Sequence, residues 1–326
     1  MSGIRNITLW FFLLASLYSC SEDISMVSPG APIPVVYGIL DIRDSVHQVL
    51  FGKTFSGEES LSELTYHPGM MYDPDGSVTL IDPVRQIQSP FTRITDGQRV
   101  PGLFPVTPRV YYRLVSQLRP GNYQLVFESS STDSTLAIEL NLPGPFQLIS
   151  PHPESRRIYF YEDPMVFSWI PPAGSGVYEI AFILHYEDHF KNSEQISRKF
   201  RHTVLLFRET LEQDHDRLVY RFYSDLFFRD AGRSIPVNEE VGYRKPVWID
   251  LEVTAGDTVL SKYLKWQTLA IDGQINPNGN INGAIGFIAG KYTIRMPHLK
   301  LSARAQDSLV LGRFTKLLGF VANPDW

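Results

Sequence analysis

The segment "HYEDHF" brings two histidines and two carboxylates together within five residues. His185, Glu187, Asp188 and His189 are residue types that bind zinc or exchange protons near neutral pH. On a helix, both imidazoles would share one face, but the ten preceding residues alternate in the manner of a strand. That alternation puts His185 on the less apolar face and His189 in the following turn. We therefore interpret the segment as the polar end of a strand, and we predict no metal site.

Three other features of the sequence contain residues that could bind a ligand. Asp73-x-Asp75-Gly76 begins like a calcium loop, but the later EF-hand ligands are missing, so we predict a turn. The segment from Asp272 to Ala284 is rich in Asn and Gly, which could supply sugar-binding amides or simply form tight turns. Trp248 could form a sugar-stacking platform, and a second packed layer would explain it equally well.

Signatures of nucleophilic, phosphate-binding or metal-dependent catalysis are missing. The sequence contains no Gly-x-Ser-x-Gly elbow, no phosphate-binding glycine loop, no dinucleotide fingerprint and no His-Glu-x-x-His. We therefore predict no catalytic residue, no cofactor and a non-enzymatic protein.

Cys20 is the only cysteine and follows an apolar run over residues 7–18, which Arg5 precedes. A basic start and a short apolar stretch are typical of a secretory signal peptide. The run is shorter than the about 20 residues that a membrane-spanning helix needs. With no second cysteine, no intrachain disulfide can form, and the thiol stays available for alkylation.

The residues that end at Cys20, "LYSC", resemble the lipobox of bacterial lipoproteins, with Tyr18 where a small residue is usual. The resemblance implies cleavage before Cys20 and acylation of its thiol and new amino group. Several acyl chains, each contributing about 0.8 kcal/mol per buried methylene, would hold the protein permanently in a membrane.

The residues after the cysteine indicate which membrane face the protein occupies. Ser21, Glu22 and Asp23 resemble the short acidic tag that marks lipoproteins for surface export in Bacteroidota. The alternative is an ordinary solvated tether on a periplasm-facing protein. We expect a lipid-anchored outer-membrane protein exposed at the cell surface.

The composition is that of a folded protein and excludes some partners. Of 326 residues, 43% are hydrophobic and 20% charged, which excludes wholesale disorder. Thirty Lys and Arg against 35 Asp and Glu give a net charge of −5. Because no basic block is present to neutralise phosphates, we expect no nucleic-acid partner.

The hydrophobic pattern predicts a mainly β protein with two domains. We predict a signal peptide over residues 1–19, a lipidated tether over 20–32, an immunoglobulin-like or fibronectin-like sandwich over 33–146, and a β-rich domain over 147–326. Leu118-x-Pro120-Gly121-x-Tyr123 resembles the tyrosine corner of such sandwiches.

More local predictions concern hairpins and helices. "VYYRLVSQL" with "YQLVF" predicts one hairpin, and "KPVWIDLEVTAGDTVLSKYLKW" predicts another that turns at "AGD". Helices are predicted near 216–231, capped by Asp216 and stopped by Gly232, and near 307–319.

The ordered set of segments resembles an uncharacterised two-domain lipoprotein family of Bacteroidota. It runs from "PVVYGILDIRDSVHQVLFGKTF" through "VFSWIPPAGSGVYEIAFILHYED", "FYSDLF" and "WIDLEVTAGDTVLSKYL" to "NINGAIGFIAGKY" and "DSLVLGRFTKLLGF". The resemblance implies no activity and no catalytic residues. The chain departs from the family at Asn280-Ile281-Asn282-Gly283-Ala284, where an Asn-Gly-Gly loop is expected.

These features predict a non-catalytic binding or accessory module of an envelope complex. Its partners would be the membrane, reached through the lipid anchor, and an outer-membrane protein or an extracellular glycan. Two alternatives are a surface hydrolase acting on glycans or peptides and a periplasm-facing assembly factor.

Replacing the lipidated thiol tests the anchor. We expect Cys20→Ala to move the protein from the membrane fraction to the soluble fraction, because the variant has no thiol to alkylate. Immunoblots of fractionated cells measure the change. A variant that stays with the membrane would refute lipidation as the anchor.

Overall fold

The computed structural model describes residues 33–53, 76–96, 109–129, 134–160, 164–269 and 281–325. Cys20, its acidic tag and the signal segment lie outside the described residues. Among the described residues, no helix is both long and apolar enough to cross a membrane.

Seventeen strands and three α-helices form the described structure. The strands are β1 (Pro34–Asp41), β2 (Val46–Lys53), β3 (Ser77–Asp82), β4 (Ile87–Pro90), β5 (Thr92–Asp96), β6 (Arg109–Val115), β7 (Gly121–Ser129), β8 (Ser134–Leu142), β9 (Gln147–Ser150), β10 (Arg157–Ile158), β11 (Met165–Ile170), β12 (Ser175–Phe190), β13 (Gln195–Phe207), β14 (Glu212–Asp214), β15 (Arg217–Phe222), β16 (Val241–Asp257) and β17 (Ile285–Leu301). The helices are α1 (Ser224–Ser234), α2 (Thr258–Leu269) and α3 (Ala303–Leu311), with 3-10 turns at Arg208–Thr210 and Lys316–Leu318.

One long sheet crosses the whole protein in the order β13-β12-β16-β17-β1-β2-β6-β5, and β10 also pairs with β17. Strand β17 is antiparallel to β16 and parallel to β1. The last long strand of the chain therefore joins the first strand, and the sheet continues across the predicted boundary near Gln147.

The N-terminal half is a β-sandwich. A second sheet, β4-β3-β7-β8, packs its apolar face against β1, β2 and β6 of the long sheet. Tyr123 of β7 forms the predicted tyrosine corner: its hydroxyl donates to the carbonyl of Arg119 at 3.0 Å and accepts from the Arg119 N–H at 3.3 Å. The mainly β fold is confirmed.

The C-terminal half has two layers as well. A third sheet, β14-β15-β11-β9, covers one face of β12, β13, β16 and β17, together with α1 and α3. The buried side chains include a group of aromatic rings in which Phe160 contacts Phe182, and both contact Phe222 and Phe227. Helix α2 packs on the opposite face, against Val177, Phe287 and Ala289.

Both predicted hairpins are wrong. Strands β6 and β7 follow each other in sequence but lie in different sheets. The predicted turn at Ala255-Gly256-Asp257 is the end of the 17-residue strand β16, and "TVLSKYLKW" belongs to α2.

The helix predicted over residues 216–231 is wrong in its first half, which forms a strand. Residues Arg217–Phe222 form β15, and α1 begins at Ser224 and contains Gly232. Leu218 and Phe222 are both buried, because a spacing of four residues also satisfies strand alternation. The C-terminal helix begins earlier than predicted, at Ala303, where the Ser302 hydroxyl accepts the N–H of Ala305.

A buried ion pair attaches the C-terminal segment to the long sheet. Arg244 is 2% exposed, and its Nε donates to Asp188 Oδ1 at 2.8 Å. The same guanidinium donates to the carbonyls of Leu318 and Pro236. Arg198 also contacts Asp188, but its side chain is 48% exposed. Asp188 therefore pairs with one buried arginine, Arg244, and with one solvent-exposed arginine, Arg198.

This difference gives a matched pair of variants. We expect Arg244→Met to lower the free energy of unfolding by about 3–5 kcal/mol, because it removes the buried partner of a buried charge. Arg198→Met should cost less than about 1 kcal/mol, because solvent screens that pair. Urea denaturation measures both. Equal losses would contradict a dominant role for Arg244.

Candidate ligand cleft

A cleft of about 460 Å³ opens between β7 and β8 of the N-terminal sandwich and the start of α2. Its volume lies within the range of small-molecule sites. The lining residues come from both halves of the chain, so the cleft exists only because the long sheet holds those halves together. We call it the β8–α2 cleft.

Strand alternation supplies the polar wall of the β8–α2 cleft. Tyr123, Leu125 and Phe127 point into the sandwich core, which leaves Asn122 and Gln124 on the outer face. Directly across the ladder, Asn141 pairs with Asn122 and Glu139 pairs with Gln124. The cleft wall therefore presents three amides and one carboxyl.

The amides are already partly ordered. Asn141 Nδ2 donates to Asn122 Oδ1 at 2.7 Å. Asn141 Oδ1 is buried and has no hydrogen-bond partner in the described structure. Asn122 is exposed and lines the cleft. A primary amide offers donors and acceptors together, which suits the hydroxyls of a neutral polar ligand.

Asp257 forms the opposite wall and is only 2% exposed. Its Oδ1 accepts the N–H of Leu260 at 2.8 Å, which makes it the N-cap of α2. Its Oδ2 accepts the N–H of Gly290 in β17, also at 2.8 Å. The carboxyl therefore joins a helix start to the long sheet.

Burial has a clear electrostatic effect on this carboxyl. Desolvation raises the pKa of Asp257 from 3.8 to about 6, against the lowering effect of the backbone N–H groups of Leu260, Gly290 and Val259. The group is thus ionised at neutral pH and becomes protonated in mildly acidic solution.

Gly290 is required at the base of the cleft. A Cβ on this residue would lie 2.2 Å from the carbonyl oxygen of Asn141 and 3.0 Å from Leu142. Only a glycine lets β8 approach β17 so closely. This contact fixes the distance between the amide wall and the Asp257 wall.

The charge in the cleft has one sign. Glu139 and Asp257 are the charged side chains among its described lining residues, and no Lys or Arg is among them. The field therefore disfavours anions. The site can bind a neutral hydroxyl-rich molecule or a cation by hydrogen bonding.

The residues of "HYEDHF" divide between the two faces of one strand, with Asp188 on one face and His185, Glu187 and His189 on the other. All lie in β12, so the prediction of a turn at His189 is wrong. His189 Nε2 contacts Glu187 Oε2 at 3.3 Å. His185 Nε2 contacts Asp250 Oδ2 at 2.8 Å, and His189 stacks on Tyr243 with ring centroids 4.4 Å apart. Asp188 faces the opposite side and pairs with Arg244.

Metal binding has no geometric support at these residues. Among the described residues, no group of three or more His, Cys, Asp or Glu side chains could hold a metal ion.

Trp248 does not form a sugar-stacking platform. His185 stacks on it at 4.5 Å and His298 contacts it edge-on at 5.0 Å, measured between ring centroids. Its neighbours therefore occupy the surfaces that a sugar would need.

Other predicted features fall partly outside the described residues. Asp73 and Asp75 lie outside, and Gly76 accepts a hydrogen bond from the Tyr112 hydroxyl at 2.9 Å. Of the Asn- and Gly-rich segment, residues 281–284 are described, and Ile281 and Ala284 are buried in the N-terminal core.

Sequence reasoning missed the β8–α2 cleft. One local signal was present: Asp257 precedes Leu260 and Leu264, which have helical spacing, and an Asp at that position is a typical N-cap. The pairing of Asn122 with Asn141 and the approach of Gly290 are contacts between distant parts of the chain, and no local pattern indicates them.

Comparisons with known proteins identify no family. No protein-family model and no curated protein matches the chain. A crystal structure of the FN1–FN3 domains of chicken CNTN1 matches at 9% identity, covering 83% of this chain and 65% of that one, with a TM-score of 0.17. The match thus spans less than two thirds of that protein's chain, and a score this low supports no argument about function or fold.

The pKa of Asp257 predicts an unusual pH dependence. Because the folded state holds this proton more tightly than the unfolded state, the contribution of Asp257 to stability falls as pH rises from about 4 to 6 and is constant above that. Relative to Asp257→Asn, the protein should be about 2 kcal/mol more stable at pH 4.5 than at pH 7.5.

Urea unfolding of both proteins at the two pH values measures this difference. The Asn variant corrects for every other titrating group, since only position 257 differs. A difference that stays constant, or grows with pH, would contradict the raised pKa.

Proposed function

We propose that the protein is a lipid-anchored envelope protein that binds a neutral, hydroxyl-rich ligand, such as an extracellular glycan, without catalysis. Two independent features support the proposal. The sequence around Cys20 supports attachment to a membrane, and the β8–α2 cleft supports ligand binding. The observation that carries the binding role is the wall of paired amides, Asn122 with Asn141, facing an acidic residue across an open cleft.

The choice of ligand class follows from the chemistry of this wall. Amides donate hydrogen bonds to hydroxyl groups and accept from them, and ionised carboxylates accept from them. Two carboxyls and no lining cation make phosphorylated or sulfated ligands unfavourable. Neutral sugars carry many hydroxyl groups and no negative charge, so they fit this wall.

A hydrolase is the second candidate, because Glu139 and Asp257 line the same cleft and the pKa of Asp257 is raised to about 6. Two carboxyls in one cleft, one of them with a raised pKa, are a common arrangement in glycosidases. However, both oxygens of Asp257 already accept backbone N–H groups. This engagement favours a structural role for Asp257 and therefore favours binding over hydrolysis.

Glu139→Gln distinguishes the two candidates. A hydrolase that uses Glu139 as acid or base would lose its turnover of neutral oligosaccharides, typically by 10²-fold or more. A binding module shows no turnover in either protein, and its affinity changes by no more than about tenfold, as expected for one hydrogen bond. Chromatography of the oligosaccharides after incubation with each protein measures whether any hydrolysis has occurred.

We propose that the protein faces the outside of the cell. The acidic tag of Ser21, Glu22 and Asp23, which follows the anchor, supports this orientation. External protease should then degrade the protein on intact cells. Full protection would favour the periplasm-facing assembly factor instead.

Loss of the amide wall tests the proposed binding site. We expect the double variant Asn122→Ala, Gln124→Ala to bind neutral oligosaccharides at least tenfold more weakly, because each lost hydrogen bond contributes about 1 kcal/mol. Gln48→Ala is the matched control, since Gln48 is an exposed amide on β2, outside the cleft.

A glycan array followed by calorimetry on the mature chain measures these affinities. Unchanged binding in the double variant would show that the ligand binds outside the β8–α2 cleft. A failure to bind any neutral glycan would overturn the proposed ligand class.

A further inference from the structure

A second cavity, of about 200 Å³, lies at the open edge of the N-terminal sandwich. It is bounded by the β3–β4 turn on one side and by the β6–β7 connection on the other. Its charged lining residues are Asp82, Arg85 and Arg119. We call it the arginine cavity. Tyr123 borders both this cavity and the β8–α2 cleft, but its hydroxyl belongs to the tyrosine corner.

The arginine cavity is held in place before any ligand arrives. Asp82 Oδ1 accepts the N–H groups of Val84 and Arg85 at 3.1 and 3.0 Å, and Asp82 Oδ2 accepts the guanidinium of Arg85. On the other side, the Tyr123 hydroxyl holds both backbone groups of Arg119. The backbone of both arginines is therefore fixed before binding, and only their side chains remain to be ordered.

The charge of the arginine cavity matches a monoanion. Two guanidinium groups and one carboxylate, with Asp82 9% and Arg85 41% exposed at the side chain, leave a net charge of about +1. The guanidinium of Arg119 has no ion-pair or hydrogen-bond partner among the described residues, so its donors are free for a ligand. Planar guanidinium groups bind carboxylates through two parallel hydrogen bonds.

The remaining wall is partly apolar and partly polar, since Ser89, Ser116 and Gln117 also line it. Leu80, Ile87 and Leu118 line the cavity beside the two arginines. Leu80 and Leu118 are buried, whereas Ile87 is 51% exposed. A carboxylate attached to an apolar or ring-shaped body would place its charge at Arg119 and its body against this wall.

We infer that the arginine cavity is a binding site for a monocarboxylate ligand, with Arg119 as the residue that determines affinity. This site is separate from the β8–α2 cleft and does not depend on the function proposed for that cleft. The carboxylate could come from a uronic acid or from the C-terminus of a peptide, and both present the same chemistry to Arg119.

Calorimetry on the mature, lipid-free chain tests the inference with probes matched in pairs. Glucuronate is compared with glucose, and a short peptide ending in leucine is compared with the same peptide amidated at its C-terminus. Inorganic phosphate is the third probe. We expect at least one carboxylate to bind with a Kd of about 1 mM and its neutral counterpart at least tenfold more weakly. The pair that binds identifies the source of the carboxylate.

Arg119→Gln should weaken carboxylate binding at least tenfold and leave the melting temperature unchanged, since this guanidinium makes no hydrogen bond or ion pair with the described residues. Arg113→Gln, an exposed arginine on the outer face of β6, is the matched control and should bind normally. Binding should also weaken as salt is raised.

Three results would overturn the inference. They are no carboxylate binding at ten times the expected Kd, equal binding by Arg119→Gln, and tighter binding of phosphate than of either carboxylate. The double variant of Asn122 and Gln124 should bind the carboxylate normally, so failure of one site can be told apart from failure of the other.

Discussion

The pairing of β17 with strands from both ends of the chain is the constraint on which the rest of the structure depends. On one side β17 is antiparallel to β16, and on the other it is parallel to β1, from Val35 opposite Ile285 to Asp41 opposite Lys291. Gly286 makes the parallel pairing possible, because a Cβ there would lie 1.9 Å from the Val36 carbonyl oxygen. Asp41 strengthens it, since its Oδ2 accepts the Thr293 hydroxyl at 2.7 Å.

The β8–α2 cleft is a consequence of that pairing. Strand β17 brings Gly290 beneath the Asn141 carbonyl, and the Gly290 N–H holds Asp257 at the start of α2. The amide wall comes from the N-terminal half and the acidic wall from the C-terminal half. The arginine cavity, by contrast, lies within the N-terminal sandwich and depends on the tyrosine corner.

The sequence predicts features that depend on near neighbours and fails for features that depend on distant ones. The alternation of Tyr123, Leu125 and Phe127 correctly predicts a strand with one buried face, and the tyrosine corner follows from the six consecutive positions 118–123. Leu218 and Phe222 mislead, because their spacing fits a strand as well as a helix. The role of Asp257 requires Gly290, which lies 33 residues later in the chain.

The membrane anchor at Cys20 is proposed from the sequence, and ligand binding is proposed from the β8–α2 cleft. Hydrogen–deuterium exchange on the protein, with and without neutral polysaccharide from the cell envelope, tests the proposed ligand site most directly. We predict slower exchange in β7, in β8 and in the first turn of α2, with no change in β12 or β13. Protection confined to other strands, or no protection at saturating polysaccharide, would contradict the assignment of the β8–α2 cleft as the ligand site.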